Sequence, residues 1–292
     1  ENGASPQAEE DRQGRPLTEM KHPRRTLLAA AALLTLGLAP AAACGPDTDC
    51  VIGERTYRIA MPDGATDATP VGAVVFMHGY RGTAQGTMAS DRLRAMAQDL
   101  GVALIAPKSG GEDWLIRNAP RKGFEDDSRE LAYFDALLAD VTTRFPIDPG
   151  KILAAGFSAG GMMTWTLACH RPDRFAAFLP IAGTFWAPEP ESCDVEAVDL
   201  VHIHGTADEV VPIAGRPIAD VRQGDVRTAV ARYGRDGGYA GEVSVATDAL
   251  AMACEGSSAP SGAHLILCLH GGGHGLDADW VAWAYRTFVA GD

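Results

Sequence analysis

Positive charge is scarce in this 292-residue chain: 25 Lys and Arg face 38 Asp and Glu, for a net charge of −13 at pH 7. That balance argues against nucleic acid and anionic membranes as partners, because both attract basic surfaces. No C-x-x-C pair occurs, and the cysteine spacings do not resemble a zinc site. The apolar run over residues 26–38 falls short of the ~20 residues a membrane-spanning helix needs. Beyond residue 43 we find no internal repeat, no interdomain linker and no sign of a second domain.

The N-terminal part reads as targeting rather than fold. After Met20 come Lys21, Arg24 and Arg25, then the apolar run, then small residues of A-x-A type up to Ala43. This is the pattern of a secretory signal peptide over residues 20–43. Residues 1–19 are expected to be a polar leader outside the fold. Cleavage before Cys44 leaves residues 44–292, long enough for one α/β domain with its own core. The removed part carries five basic and five acidic residues, so the net charge stays at −13. The expectation is a secreted or periplasmic protein with no transmembrane anchor after cleavage. A lipoprotein reading, with Cys44 acylated, is weaker because Ala41 stands where such signals carry Leu. All six cysteines follow the cleavage point, and an even count in an exported chain suggests three disulfides. We expect sequential pairs: Cys44–Cys50, Cys169–Cys193 and Cys254–Cys268.

The remaining chain alternates short apolar runs with amphipathic segments. Strands are expected over 50–60, 71–77, 102–107, 152–155, 175–181, 200–204 and 264–269. Helices are expected over 83–100, 128–144, 162–169, 225–233 and 276–289, the second with Leu131, Phe134, Leu137, Leu138 and Val141 on one face. Strands alternating with helices imply a doubly wound, mostly parallel sheet in a single α/β domain.

Within this pattern one stretch carries chemistry. Gly156-Phe157-Ser158-Ala159-Gly160 fits G-x-S-x-G and lies between an apolar strand and an apolar helix. That context defines a nucleophile elbow, in which a strained turn lifts Ser158 Oγ above the sheet edge. A plain Gly-Ser turn between core elements is the competing reading. A serine needs a base, and the base needs an orienting acid. In the α/β-hydrolase order the acid and then the histidine follow the serine, and here Asp208 and His274 each sit in a loop just past a strand. Glu209 rivals Asp208, and His264 and His270 rival His274. Asp208 is otherwise a turn-forming residue, and His274 a solvated loop histidine. The oxyanion donors are expected to be the amides of Tyr80, after His78-Gly79, and of Ala159. His78 itself reads as structural, bonding loop carbonyls. Trp114, Phe185 and Trp186 fall in loops at the same edge, where they line a substrate pocket or pack beneath the loops. Asp126 and Asp127 are expected to cap the helix that follows.

These blocks resemble a known family. G-F-S-A-G-G-M-M, then L-A-C and P-D-R-F-A-A, then H-I-H-G-T-A-D-x-x-V-P and G-G-G-H, are similar to secreted polyhydroxybutyrate depolymerase-like and feruloyl esterase-like α/β-hydrolases. The resemblance covers most of residues 57–288. It implies Ser158 as nucleophile, Asp208 as acid, His274 as base, and a small or oligomeric ester as substrate. The implied chemistry needs no metal and no cofactor. Two departures bear on the polymer: many relatives continue the histidine block with Thr-Trp-Pro, where this chain has Gly275-Leu276-Asp277, and no separate substrate-binding domain is visible. A peptidase of the same fold usually adds a gating domain, also not visible. A catalytically silent binding protein would not need the triad order.

Overall fold

The computed structural model describes residues 44–120, 126–194, 196–245 and 250–291. The leader and signal peptide expected over residues 1–43 lie outside the described residues. In chain order the strands are β1 (Cys50–Ile52), β2 (Arg55–Ala60), β3 (Val71–Met77), β4 (Ala103–Pro107), β5 (Ile147–Phe157), β6 (Ala177–Ile181), β7 (Trp186–Ala187), β8 (Asp199–Gly205), β9 (Pro217–Ile218), β10 (Val221–Gln223), β11 (Gly241–Val243), β12 (Ala253–Ser258) and β13 (His264–His270). The helices are α1 (Ala84–Met88), α2 (Asp91–Leu100), α3 (Ser128–Arg144), α4 (Ala159–His170), α5 (Val226–Asp236) and α6 (Ala278–Tyr285).

The main sheet runs β1-β2-β4-β3-β5-β6-β8-β13-β12-β11. Its middle, from β4 to β13, is parallel, and both ends are antiparallel. The central strands are apolar without alternation because helices cover both faces. Ala73, Val75 and Met77 face the layer of α3, α4 and α5, whereas Val74 and Phe76 face α1, α2 and α6. This is a doubly wound α/β domain. From β3 the chain moves to β4 on one side and then returns to β5 on the other. The carboxyl ends of β3 and β5 therefore meet at a topological switch point, where open α/β sheets hold their sites.

Local chemistry explains where the elements depart from expectation. The strand expected over 50–60 is a hairpin, because Gly53 at φ 57° turns the chain between β1 and β2. The helix expected over 83–100 is two helices, since Ser90 leaves the helical region and its Oγ accepts the Leu93 N–H at 3.4 Å to start α2. Gly101, at φ 66°, ends α2. Of the two residues expected to cap α3, Asp126 accepts the Ser128 N–H at 3.0 Å. Asp127 instead accepts the Arg117 N–H at 2.6 Å and anchors the preceding loop. A second small sheet, β7-β10-β9, was not expected. All three sequential disulfides are present: Cys44–Cys50, Cys169–Cys193 and Cys254–Cys268. The last joins directly opposed residues of β12 and β13.

Candidate active site

Strand β5 ends at Phe157, helix α4 begins at Ala159, and Ser158 between them has φ 58° and ψ −119°. A non-glycine residue in that region stores about 1–3 kcal/mol of strain, so the surroundings must impose it. They do. The Ser158 N–H donates to Ile181 O at 2.9 Å, and its carbonyl accepts from Met162 N at 3.0 Å. A methyl group on Gly156 would fall on the Gly160 carbonyl, and one on Gly160 would fall on the Met77 carbonyl. Only glycine at these two positions lets β3, β5 and α4 close around the turn.

Because β8 and β13 are parallel neighbours, the loops after them zip together: Thr206 N donates to His270 O at 2.8 Å, and Ala207 N donates to Gly272 O at 3.0 Å. This brings Asp208 to His274, with His274 Nδ1 2.7 Å from Asp208 Oδ2. The other carboxylate oxygen, Oδ1, accepts the N–H groups of Val210 and Val211, both at 2.8 Å. The Asp208 side chain is fully buried, and three donors satisfy it. An ionised carboxylate only accepts, so His274 carries its proton on Nδ1 and leaves Nε2 as a free base. The imidazole also lies against Phe157, with ring centroids 4.7 Å apart, one residue from Ser158. Ser158 Oγ has no hydrogen-bond partner among the described residues, which is common in resting sites of this kind.

The rivals fall elsewhere. Glu209 is exposed. His264 bonds Asp199 at 2.9 Å, and His270 packs on Trp280 with centroids 4.7 Å apart. Burial lowers the pKa of His270.

The loop after β3 sits over the elbow: a Cβ on Gly79 would lie 3.4 Å from Ser158 Cβ. The amides of Tyr80 and Ala159 have no acceptor among the described residues, and both residues line the same cleft as Ser158. His78 fixes this loop. Its Nε2 accepts the Ser109 N–H at 3.3 Å, so its Nδ1 carries the proton and donates to Gly79 O at 2.9 Å. Burial holds the His78 pKa below its ordinary value, which keeps the ring neutral.

The cleft has a volume of about 500 Å³. Of the three aromatics expected there, Trp186 lines it. Trp114 does not: it is 1% exposed, packs between His78 and Phe134, and donates Nε1–H to His78 O at 2.9 Å. The loop bearing Trp114 folds inward and is pinned by buried Glu130, which accepts the Leu115 N–H at 3.0 Å. Phe185 also turns inward, onto Trp165, with centroids 5.4 Å apart. The sequence reading missed Met162, Arg216 and Gln223, which line the cleft. Met162 was legible as the first large apolar residue after the elbow. Gln223 ends β10 and Arg216 directly precedes β9, at the small sheet, which gave no usable pattern. Gln223 is 5% exposed and its Oε1 has no partner.

Among the described residues no group of three or more His, Cys, Asp or Glu gathers to hold a metal ion, and no helix is long and apolar enough to cross a membrane.

A doubly wound sheet with a strained serine at its switch point and a bonded aspartate–histidine pair at the same edge defines an α/β-hydrolase. The comparisons agree on the fold: the solved acetyl xylan esterase from Aspergillus awamori superposes with a TM-score of 0.57 at 15% identity, covering 80% of this chain and 94% of that one. The family model described as "Putative esterase" matches residues 51–216, and the chain belongs to that esterase family. The match includes Ser158 and Asp208 and ends before His274. "Putative esterase NocK" of Nocardia uniformis subsp. tsuyamanensis is 31% identical over 55% of this chain and 47% of its own length, so the chain spans about half of that relative. "Probable feruloyl esterase C" of Aspergillus niger is 27% identical over 65% of this chain and 70% of its own length.

Proposed function

We propose that the chain is an exported serine esterase working through Ser158, His274 and Asp208. One observation carries the reading: the 2.7 Å bond from His274 Nδ1 to buried Asp208, which leaves Nε2 basic beside the elbow. His274 Nε2 takes the proton from Ser158 Oγ as the oxygen attacks the ester carbonyl. Asp208 holds the tautomer and stabilises the imidazolium. The amides of Tyr80 and Ala159 receive the oxyanion. His274 then protonates the leaving alcohol, and water, activated by the same imidazole, releases the acid. Export through a signal peptide over residues 20–43 is supported by the three disulfides, which persist in oxidising compartments.

For the substrate, the cleft supports a small or oligomeric ester: a feruloyl, acetyl, short-chain acyl or hydroxyalkanoate ester. Met162, Trp186 and Ile218 offer apolar contact, and the unpartnered Gln223 Oε1 offers an acceptor. A hydroxyl on the substrate would satisfy that oxygen, which favours hydroxyl-bearing esters over plain alkyl ones. The test is hydrolysis of p-nitrophenyl acetate, butyrate and octanoate, methyl ferulate and a hydroxybutyrate oligomer, with a peptide anilide as control. Wild type and Ser158→Ala are run together. Serine-dependent ester hydrolysis is expected, and cleavage of the anilide alone would point to a peptidase.

A further inference from the structure

Strand β8 carries two histidines in an otherwise apolar run, His202 and His204, and neither is exposed at all. Being two residues apart they share a face of the sheet, the face covered by α4. Four groups stand in line there. Trp165 Nε1 is 3.2 Å from His202 Nδ1. His202 Nε2 is 2.9 Å from His204 Nδ1. His204 Nε2 is 2.7 Å from Val211 O and 3.5 Å from Asp208 Oδ2.

The chemistry at both ends fixes the direction. An indole N–H only donates, so His202 Nδ1 accepts and its proton sits on Nε2. That proton goes to His204 Nδ1, so the proton of His204 sits on its own Nε2. The Val211 carbonyl only accepts, which demands the same tautomer from the other end. The reverse order would set N–H against N–H at Trp165 and a lone pair against a carbonyl at Val211. Charging either ring would add a proton with no acceptor. Burial accordingly lowers both pKa values, that of His202 well below the ordinary 6.5.

We propose that Trp165, His202 and His204 form a one-way hydrogen-bond chain that positions Asp208 from behind, tying the helix that starts at the nucleophile to the loop that holds the acid. The link is the backbone of Val211. Its N–H donates to Asp208 Oδ1 and its carbonyl takes the His204 proton, so the acid's turn is clamped on both sides. His204 thereby acts through Asp208 as a positioning residue. The chain also ends with His204 Nε2 3.5 Å from Asp208 Oδ2, the same oxygen that His274 Nδ1 bonds at 2.7 Å. The titratable groups facing His204 are His202, Asp208, His274 and His270.

This inference rests on the serine-esterase reading, and the test separates the two. In wild-type protein, ¹⁵N NMR should find both buried rings neutral, protonated on Nε2, and silent to titration between pH 5 and 8. His204→Phe should lower kcat for p-nitrophenyl butyrate by about 10- to 100-fold with KM within about twofold, the signature of a misplaced catalytic group. His204→Gln, which keeps an N–H at the reach of Nε2, should recover at least a third of that loss on a logarithmic scale. Protonation of His204 on Nδ1, or a folded His204→Phe with kcat within twofold of wild type, overturns the chain. Hydrolysis that survives Ser158→Ala overturns the esterase reading instead, and the tautomer spectrum still decides the chain.

Discussion

Asp208→Asn tests how the acid sets the base. The substitution changes one atom, and the neighbours dictate where the new amide points. Asp208 Oδ1 faces two N–H donors, from Val210 and Val211, each at 2.8 Å. An NH₂ group there would set donor against donor twice. The amide oxygen must therefore keep that position, and the NH₂ group must replace Oδ2, 2.7 Å from His274 Nδ1. It now donates, so Nδ1 must accept, and the neutral imidazole moves its proton to Nε2. The base then offers a proton to Ser158 where it should offer a lone pair. Loss of the correct tautomer costs about 10⁴ in kcat, or about 5.5 kcal/mol of transition-state stabilisation. The His204 N–H, 3.5 Å from the replaced oxygen, adds a further unfavourable pairing. The assay is steady-state hydrolysis of p-nitrophenyl butyrate, with circular dichroism and a melting curve to show that the variant folds. Glu209→Gln, on an exposed neighbour, should stay within about threefold of wild type. Activity of Asp208→Asn within tenfold of wild type, or a dead Glu209→Gln, would refute the assignment of the acid.

The packing around the elbow makes Gly160→Ala destabilising by about 3 kcal/mol or more, read as a lower urea midpoint, because the methyl group meets the Met77 and His78 carbonyls. Gly271→Ala, with open space around it, should stay within about 0.5 kcal/mol; equal midpoints for the two would contradict the close approach of β3 and α4. Stability should fall as pH drops below 6.5. His202 and His204 keep folded pKa values below their unfolded value, so the unfolded chain binds more protons there, and each contributes a slope of up to about 1.4 kcal/mol per pH unit. A urea midpoint flat from pH 7 to pH 5 would argue that these rings are not held neutral. Gln223→Leu should raise KM for hydroxyl-bearing esters by about fivefold or more while sparing p-nitrophenyl butyrate; an equal effect on both would remove Gln223 from substrate selection.

Much of the architecture was legible because it follows from periodicity. Strand β3 and helix α3 have the expected bounds, since an apolar run and a clean three-to-four spacing leave little choice. The serine turn was legible from two glycines whose only rationale is close approach. That Asp208 and His274 meet was legible from their places in loops just past two strands, which pair in parallel as β8 and β13. Other features depend on contacts that a linear pattern does not encode. Strands β7, β9 and β10 are two or three residues long and include Pro217, so they exist only through their pairing. Trp114 and Phe185 lie in loops, and loop position alone does not say whether a ring faces the cleft or the core. His202 and His204 did leave a signal: two polar residues at strand spacing inside a strand buried on both faces demand partners there. Read that way, the H-I-H segment points to a buried polar line behind the acid.

The most direct test of a serine nucleophile at this elbow is covalent labelling. Wild type and Ser158→Ala are treated with a fluorophosphonate probe, and the products are read by intact mass and peptide mapping. The account predicts one adduct per chain, on Ser158, with loss of ester hydrolysis in proportion to labelling and no adduct on the variant. A folded wild-type protein that takes no label, or one labelled at another residue while hydrolysis continues, would contradict it.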